Sequence, residues 1–135
     1  MFRYVQPVLF KHCDPAGIVF YPRYFEMIND CMEQFFDERL KWPFHEIHAS
    51  AAVPTVEITT RFKAPSRHGD KLDLALGISK VGRTSCGFAL EARCAGQERF
   101  ASDLTLVHVN KDGKPSQWPD TIKARLQQLK ECQEQ

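Results

Sequence analysis

The sequence predicts an α+β fold in which a long antiparallel β-sheet packs on one long α-helix. Three observations carry this. Over residues 22–40 apolar residues recur at three- and four-residue steps, the period of a helix with one buried face. After residue 53 the period changes to two, in four successive runs. Short turn clusters separate those runs, which suits hairpins between antiparallel neighbours.

Residues 2–11 mix aromatic and aliphatic side chains and predict a first strand. An unusual stretch follows, from His12 to Phe25. Asp14 precedes Pro15, and a residue before proline is pushed out of the helical region. Gly17 can take positive φ without steric cost, so the chain can turn sharply after the carboxylate. Pro22 suits the first turn of a helix, where its missing N–H is not needed. Asp14 is thereby placed on a stiff turn leading into a helix N-terminus, which carries unpaired N–H groups and partial positive charge.

From Pro22 to about Leu40, Tyr24, Ile28, Cys31, Met32, Phe35 and Phe36 form one apolar stripe. Glu26, Asp30, Glu33, Asp37 and Glu38 fall largely off it. About 18 residues at 1.5 Å each make a rod of roughly 27 Å. Lys41 to Ala52, with Trp42-Pro43-Phe44, reads as a short irregular or helical connector.

The strands come next. Val56, Ile58 and Phe62 alternate with Glu57, Thr59 and Arg61. Residues 65–70 form a turn cluster, Pro65-Ser66-Arg67-His68-Gly69-Asp70. Leu72, Leu74, Leu76 and Ile78 alternate with Asp73, Ala75, Gly77 and Ser79. Val81-Gly82-Arg83-Thr84 breaks the pattern, and Cys86, Phe88, Leu90, Ala92 and Cys94 resume it. Ala95-Gly96-Gln97 breaks it again before Phe100, Leu104, Leu106 and Val107. Pro119 to Gln135 is polar, with Ile122, Leu126 and Leu129 at helical spacing, and reads as a terminal helix. A strand of ten residues spans roughly 33 Å, comparable to the long helix, so a curved sheet can bury the apolar stripe. The other strand face is rich in small residues such as Ala75, Gly77, Gly87 and Ala89, suited to packing on another sheet or subunit.

At 135 residues the chain is read as one domain, 1–135. A net charge of +1 offers no broad electrostatic case for nucleic acid or an anionic membrane. No apolar run has the length to span a bilayer, and Met1-Phe2-Arg3-Tyr4 does not open a signal peptide. Five cysteines without a C-x-x-C pair point to a reduced, cytoplasmic setting with thiols as small core residues.

The run Asp14-Pro15-Ala16-Gly17-Ile18-Val19-Phe20-Tyr21-Pro22 closely resembles the active-site segment of 4-hydroxybenzoyl-CoA-type thioesterases. These are hotdog-fold enzymes that hydrolyse acyl-CoA thioesters. The resemblance implies that the sheet wraps the helix, that Asp14 is the catalytic carboxylate, and that the backbone amide of Tyr21 binds the oxyanion. It implies that Arg83, with Thr84 and Ser85, meets the CoA nucleotide, and that chains assemble as dimers or tetramers. Water is the co-substrate, and neither a metal nor an organic cofactor is called for. Two alternatives stay open: an acyl-carrier-protein thioesterase, and a non-catalytic acyl-CoA-binding hotdog protein.

The chemistry is coherent with the residues. A carboxylate can attack a thioester directly, giving an anhydride, or act as general base on water. A free Asp titrates near ~3.9, which makes it a weak base and favours attack unless burial raises its pKa. Cys13 beside His12 suggests a Cys/His pair, but adjacent side chains on extended backbone point to opposite faces. The resembled family often has an acidic or polar residue near this point, so His12 is a departure. His45 and His48 are three apart, not the four of H-E-x-x-H, and by themselves make no zinc site. His68 reads as a loop residue. Arg61, Lys63 and Arg67 are further cations that could meet phosphate.

Overall fold

The turn clusters fall where the strands end. The computed structural model describes residues 1–133. In chain order it contains β1 (Phe2–Pro7), a 3-10 turn (Phe10–His12), α1 (Pro22–Glu38), α2 (Phe44–Ile47), β2 (Thr55–Phe62), β3 (Lys71–Val81), β4 (Ser85–Cys94), β5 (Gln97–Val107) and α3 (Asp120–Gln133). The strands form one sheet in the order β1-β3-β4-β5-β2, and every neighbouring pair is antiparallel. Residues 134 and 135, the end of the expected terminal helix, lie outside the described residues.

Alternation becomes burial in the central strands. Leu72, Leu74, Leu76 and Ile78 of β3, Cys86, Phe88, Leu90 and Ala92 of β4, and Phe100, Leu104 and Leu106 of β5 are all buried. They face the stripe of α1, which also includes Met27. Phe35 meets Phe2 and Phe88 edge-on, with centroids 5.7 and 5.6 Å apart, tying the helix to an edge strand and a central one. Burying one such ring stabilises by about 1.5–3 kcal/mol relative to leaving it exposed. Burial pushes the Cys31 and Cys86 thiols up to about 12, so both behave as inert core residues.

Two expectations need correction. The first strand stops at Pro7 instead of reaching residue 11. His12 Nδ1 accepts the Leu9 N–H at 2.9 Å, and this side-chain bond closes a tight turn where more strand was expected. The second concerns β2, whose alternation predicted a half-buried strand. Val56 (59% exposed), Ile58 (39%) and Phe62 (47%) all stay partly exposed, because α1 does not close over β2.

Helix α3 lies beside the end of α1. Its Ile122 and Leu126 are buried, and the Arg125 guanidinium donates to the Leu40 carbonyl. The Gln133 side-chain amide bonds both the N–H and the C=O of Ile78. Ile78 lies beyond the Phe2–Leu76 pair, where β1 no longer covers the edge of β3. No helix among the described residues is long and apolar enough to cross a membrane.

Candidate active site

The turn at Asp14 is built from its own sequence. The Gly17 N–H bonds the Asp14 carbonyl at 2.9 Å, so Asp14, Pro15, Ala16 and Gly17 are the four residues of a β-turn. Ala16 does not have positive φ, which rules out type II and leaves the type I pattern, with Asp first, Pro second and Gly fourth. Gly17 sits at φ +82, and the Asp14 N–H then bonds the Ile18 carbonyl at 2.9 Å. A type I turn followed by a left-handed glycine is a standard three-residue hairpin loop. Below it Cys13 pairs with Val19, and the Phe20 N–H reaches the His12 carbonyl at 2.9 Å.

Residues 12–20 therefore form a miniature hairpin with Asp14 at its tip. Asp14 Oδ1 accepts the Ala16 N–H at 2.9 Å, which fixes the carboxylate against its own turn. Oδ2 has no hydrogen-bond partner among the described residues. The side chain is half-buried, so this oxygen is held in place yet reachable.

The helix follows at once. Pro22 has no N–H, the Arg23 N–H is taken by Phe20 C=O at 2.8 Å, and the Tyr24 N–H by Tyr21 C=O at 3.1 Å. That leaves the Tyr21 N–H as the donor of this first turn without a partner among the described residues. Around it Tyr21, Tyr24 and Phe25 enclose Phe62 of β2, with centroids 5.8, 5.8 and 6.3 Å away.

Farther along α1, an open groove of about 680 Å³ separates the helix from β2 and β5. Ile28, Met32, Phe44, Val53, Ile58 and Leu104 make its walls apolar. Asn29 and His48 are polar exceptions. His48 Nδ1 lies 2.6 Å from the Phe44 carbonyl, and since a carbonyl only accepts, Nδ1 is the donor of that bond.

The remaining sequence candidates are dispersed. Arg83, Thr84 and Ser85 form the β3–β4 turn, fastened through backbone to Trp118 and His108. The hairpin of Asp14 rests on residues 66 and 67, before β3 begins, whereas Arg83 follows the end of β3. Ten steps along β3 separate those ends by about 33 Å, so one chain does not bring Arg83 to Asp14. Cys13 is extended, at φ −98 and ψ 149, and His12 Nδ1 is engaged by Leu9. Burial holds the His12 pKa below the ordinary histidine value, with Lys11 adding to the effect. Lys63 pairs with Glu98 at 2.9 Å, and His68 lies edge-on to Phe10 at 6.0 Å.

One cluster was not expected. Beneath the hairpin, Arg99 is buried and binds Pro65, Ser66 and Asp70. An alternating strand gives no hint of it, because an arginine beside Phe100 reads as solvent-facing.

A family model for the thioesterase-like superfamily matches residues 8–126. The chain belongs to that superfamily. Its likeness to solved structures extends over nearly the whole length. A 1,4-dihydroxy-2-naphthoyl-CoA thioesterase from Synechocystis superposes with a TM-score of 0.87 at 21% identity, covering 95% of this chain and 96% of that one. A gentisyl-coenzyme A thioesterase gives 0.85 at 25% identity, covering 93% and 99%. A Staphylococcus aureus protein in complex with CoA gives 0.90 at 14% identity, covering 96% and 84%. No curated protein matches the chain in sequence. The fold is thus the hotdog arrangement, a five-stranded antiparallel sheet curved around α1. Thioester hydrolysis is the chemistry that membership supports.

Proposed function

We propose that this hotdog protein hydrolyses acyl-CoA thioesters, with Asp14 as the reacting carboxylate. The observation that carries the reading is a fixed carboxylate set just ahead of a helix, with Asp14 Oδ2 and the Tyr21 N–H both without a partner among the described residues. A thioester carbonyl placed between them would meet a nucleophile or base on one side and an oxyanion donor on the other. Two routes fit. In the first, Asp14 Oδ2 attacks the carbonyl carbon, CoA leaves as thiolate, and water hydrolyses the resulting anhydride. In the second, Oδ2 takes a proton from water as the water attacks the carbonyl carbon, and the C–S bond then breaks with CoA leaving as thiolate. Gly17 acts only by permitting the turn.

The acyl group is assigned to the groove along α1. Its apolar walls suit an aromatic, short or branched acyl chain, and its volume lies in the range of small-molecule sites. The exposed apolar face of β2 is open at the edge of the sheet, which supports assembly with a second copy as a dimer or tetramer. Arg83, Thr84 and Ser85 would then contact the CoA nucleotide of a site whose Asp14 belongs to another subunit. An acyl-carrier-protein thioester would undergo the same chemistry, and a non-catalytic acyl-CoA binder would retain the groove alone.

The test is thiol release from a panel of short, branched, long-chain and aryl acyl-CoAs, with acyl-carrier-protein thioesters alongside. Asp14→Asn should lose at least ~100-fold in rate while still binding substrate. Equal activity of the variant and wild type would remove Asp14 from the chemistry. Tight binding with no turnover on any thioester would leave the binding reading in its place. A single turnover in ¹⁸O-water tests for the first route: water that opens the anhydride at the Asp14 carboxyl carbon leaves the label in Asp14 and none in the released acid, whereas general-base attack puts the label in the acid alone.

A further inference from the structure

The hairpin that presents Asp14 is nearly self-contained. Among the described residues, the backbone of residues 13–19 has one hydrogen bond to the sheet end of the molecule, from the Val19 N–H to the Ser66 carbonyl at 2.8 Å. It accompanies the pairing of Ile18 with Arg67. With the Val19 side chain packed in the core, the position of Asp14 depends on that packing and on how firmly residues 65–70 are held.

That loop has little apolar anchorage; its far end exchanges two backbone hydrogen bonds with Val8, at Gly69 and Asp70, and Arg99 ties Pro65 and Ser66 to that end. Arg99 is 9% exposed, and Ser66 is fully buried. Arg99 Nη1 donates to the Asp70 carboxylate at 2.7 Å, to the Pro65 carbonyl at 3.1 Å and to Ser66 Oγ at 3.2 Å. Asp70 Oδ2 also accepts the Arg67 N–H at 2.9 Å, which closes the loop on itself. From the other side, Ser66 lies close to the phenol of Tyr24 on α1.

The strand is shaped to deliver this arginine. In the β4–β5 ladder Ala92 pairs with Phe100 and Arg93 with Glu98, so Arg99 is the extra residue of a β-bulge. Its carbonyl accepts both the Lys63 and the Ala64 N–H, at 2.9 and 3.2 Å. Bulges beside active sites commonly serve to re-aim a side chain. Here the bulge turns inward a residue that strict alternation would leave on the solvent face. A buried ion pair of this kind is weak evidence for stability, since apolar residues of similar volume often serve as well. Fixing one loop conformation is the role its geometry suits.

We infer that Arg99, bulged out of β5, is a positioning residue that sets the place of Asp14 through Ser66 and Val19. It acts through the loop at residues 65–70 and never touches substrate. The inference rests on the thioesterase reading for its kinetic arm only.

The test uses the purified full chain with Arg99→Met, which keeps the volume and removes the three hydrogen bonds, and Arg99→Lys, which restores the charge. Displacement of a reacting group by about 1 Å costs on the order of 100-fold in rate. Arg99→Met should lose kcat on that scale with KM within about twofold of wild type, and Arg99→Lys should recover part of the loss. Amide exchange should quicken at Asp14 and Val19 and stay unchanged at Phe88 and Leu90 of β4. A wild-type kcat in Arg99→Met would overturn the inference. So would exchange that rises as much at Phe88 and Leu90 as at Val19, the signature of general destabilisation. Should Arg99→Met not fold, Ser66→Ala and Asp70→Ala each remove one acceptor of Arg99 and face the same criteria. If wild type cleaves no thioester, the functional reading falls, and amide exchange at Val19 then decides the inference alone.

Discussion

Gly17→Ala offers a sharp test of the hairpin, because its cost separates into parts. Gly17 lies at φ +82, and a Cβ built there meets nothing within 4 Å. Steric contact with the rest of the molecule is therefore absent, and only backbone strain remains. Left-handed backbone costs a residue with a Cβ about 1–2 kcal/mol. Loss of unfolded-state freedom returns about 0.4–1 kcal/mol. The net is about 1 kcal/mol, less than the Val19–Ser66 hydrogen bond and the buried Val19 side chain together contribute to holding the hairpin down. Strain of that size is relieved more easily by a local shift of the turn, residues 14–17, than by lifting the hairpin or unfolding the domain.

At about 2.1 cal/mol/K per residue, 135 residues give an unfolding entropy near ~0.28 kcal/mol/K, so full expression of the strain would lower Tm by about 3–4 °C. We expect a smaller drop than that by calorimetry, with a loss of kcat of about 5–10-fold in the thiol-release assay. Gly17→Asn should lie closer to wild type on both measures, since Asn tolerates this conformation. Wild-type kcat and Tm in Gly17→Ala would refute the reasoning, as would an Asn variant no better than Ala.

Three further outcomes are expected. His12 binds its proton less readily folded than unfolded, so its contribution is complete above the unfolded value of ~6.5 and is lost as pH falls through the folded pKa. His12→Asn keeps an acceptor near Nδ1 and should flatten the fall of Tm between pH 7 and pH 5; an unchanged slope would remove His12 as its source. Ala95 and Gly96 both have positive φ in the β4–β5 turn, where Asn-Gly is the favoured pair, so Ala95→Asn should raise stability by about 0.5–1 kcal/mol in urea titration. Arg83→Ala should raise KM for acyl-CoA and leave a short pantetheine ester unaffected, and an equal effect on both would sever Arg83 from the nucleotide.

The helix and the central strands were legible because both their faces are decided by one period. Leu72 to Ile78 and Cys86 to Ala92 place their large apolar side chains at every second position, all buried in the one core cluster that includes the stripe of α1. The turn at Asp14 was legible because Asp, Pro and Gly each restrict local backbone without help from elsewhere. What escaped depends on distant or side-chain partners. The apolar residues of β2 report a face that prefers cover, yet alternation does not say whether the chain's own helix supplies it. The turn at Phe10–His12 depends on an imidazole nitrogen in place of a strand partner. Arg99 was missed because one inserted residue in β5 reverses which face a side chain takes, and neither Glu98 nor Phe100 announces the insertion.

The amide of Gln133 on Ile78 has a consequence for the order in which the chain is completed. Donor and acceptor are 55 residues apart, and the side chain satisfies a peptide group that an adjoining strand would ordinarily satisfy. During synthesis from the N-terminus, β1 to β5 can pair before this cover exists. For that interval the edge of β3 near its bulge between Ile78 and Lys80 presents open backbone groups to any other nascent strand. The last turn of α3 thus works as a late seal. Shortening the chain to residue 132 should show itself first as aggregation during refolding, before any loss of activity in the molecules that do fold.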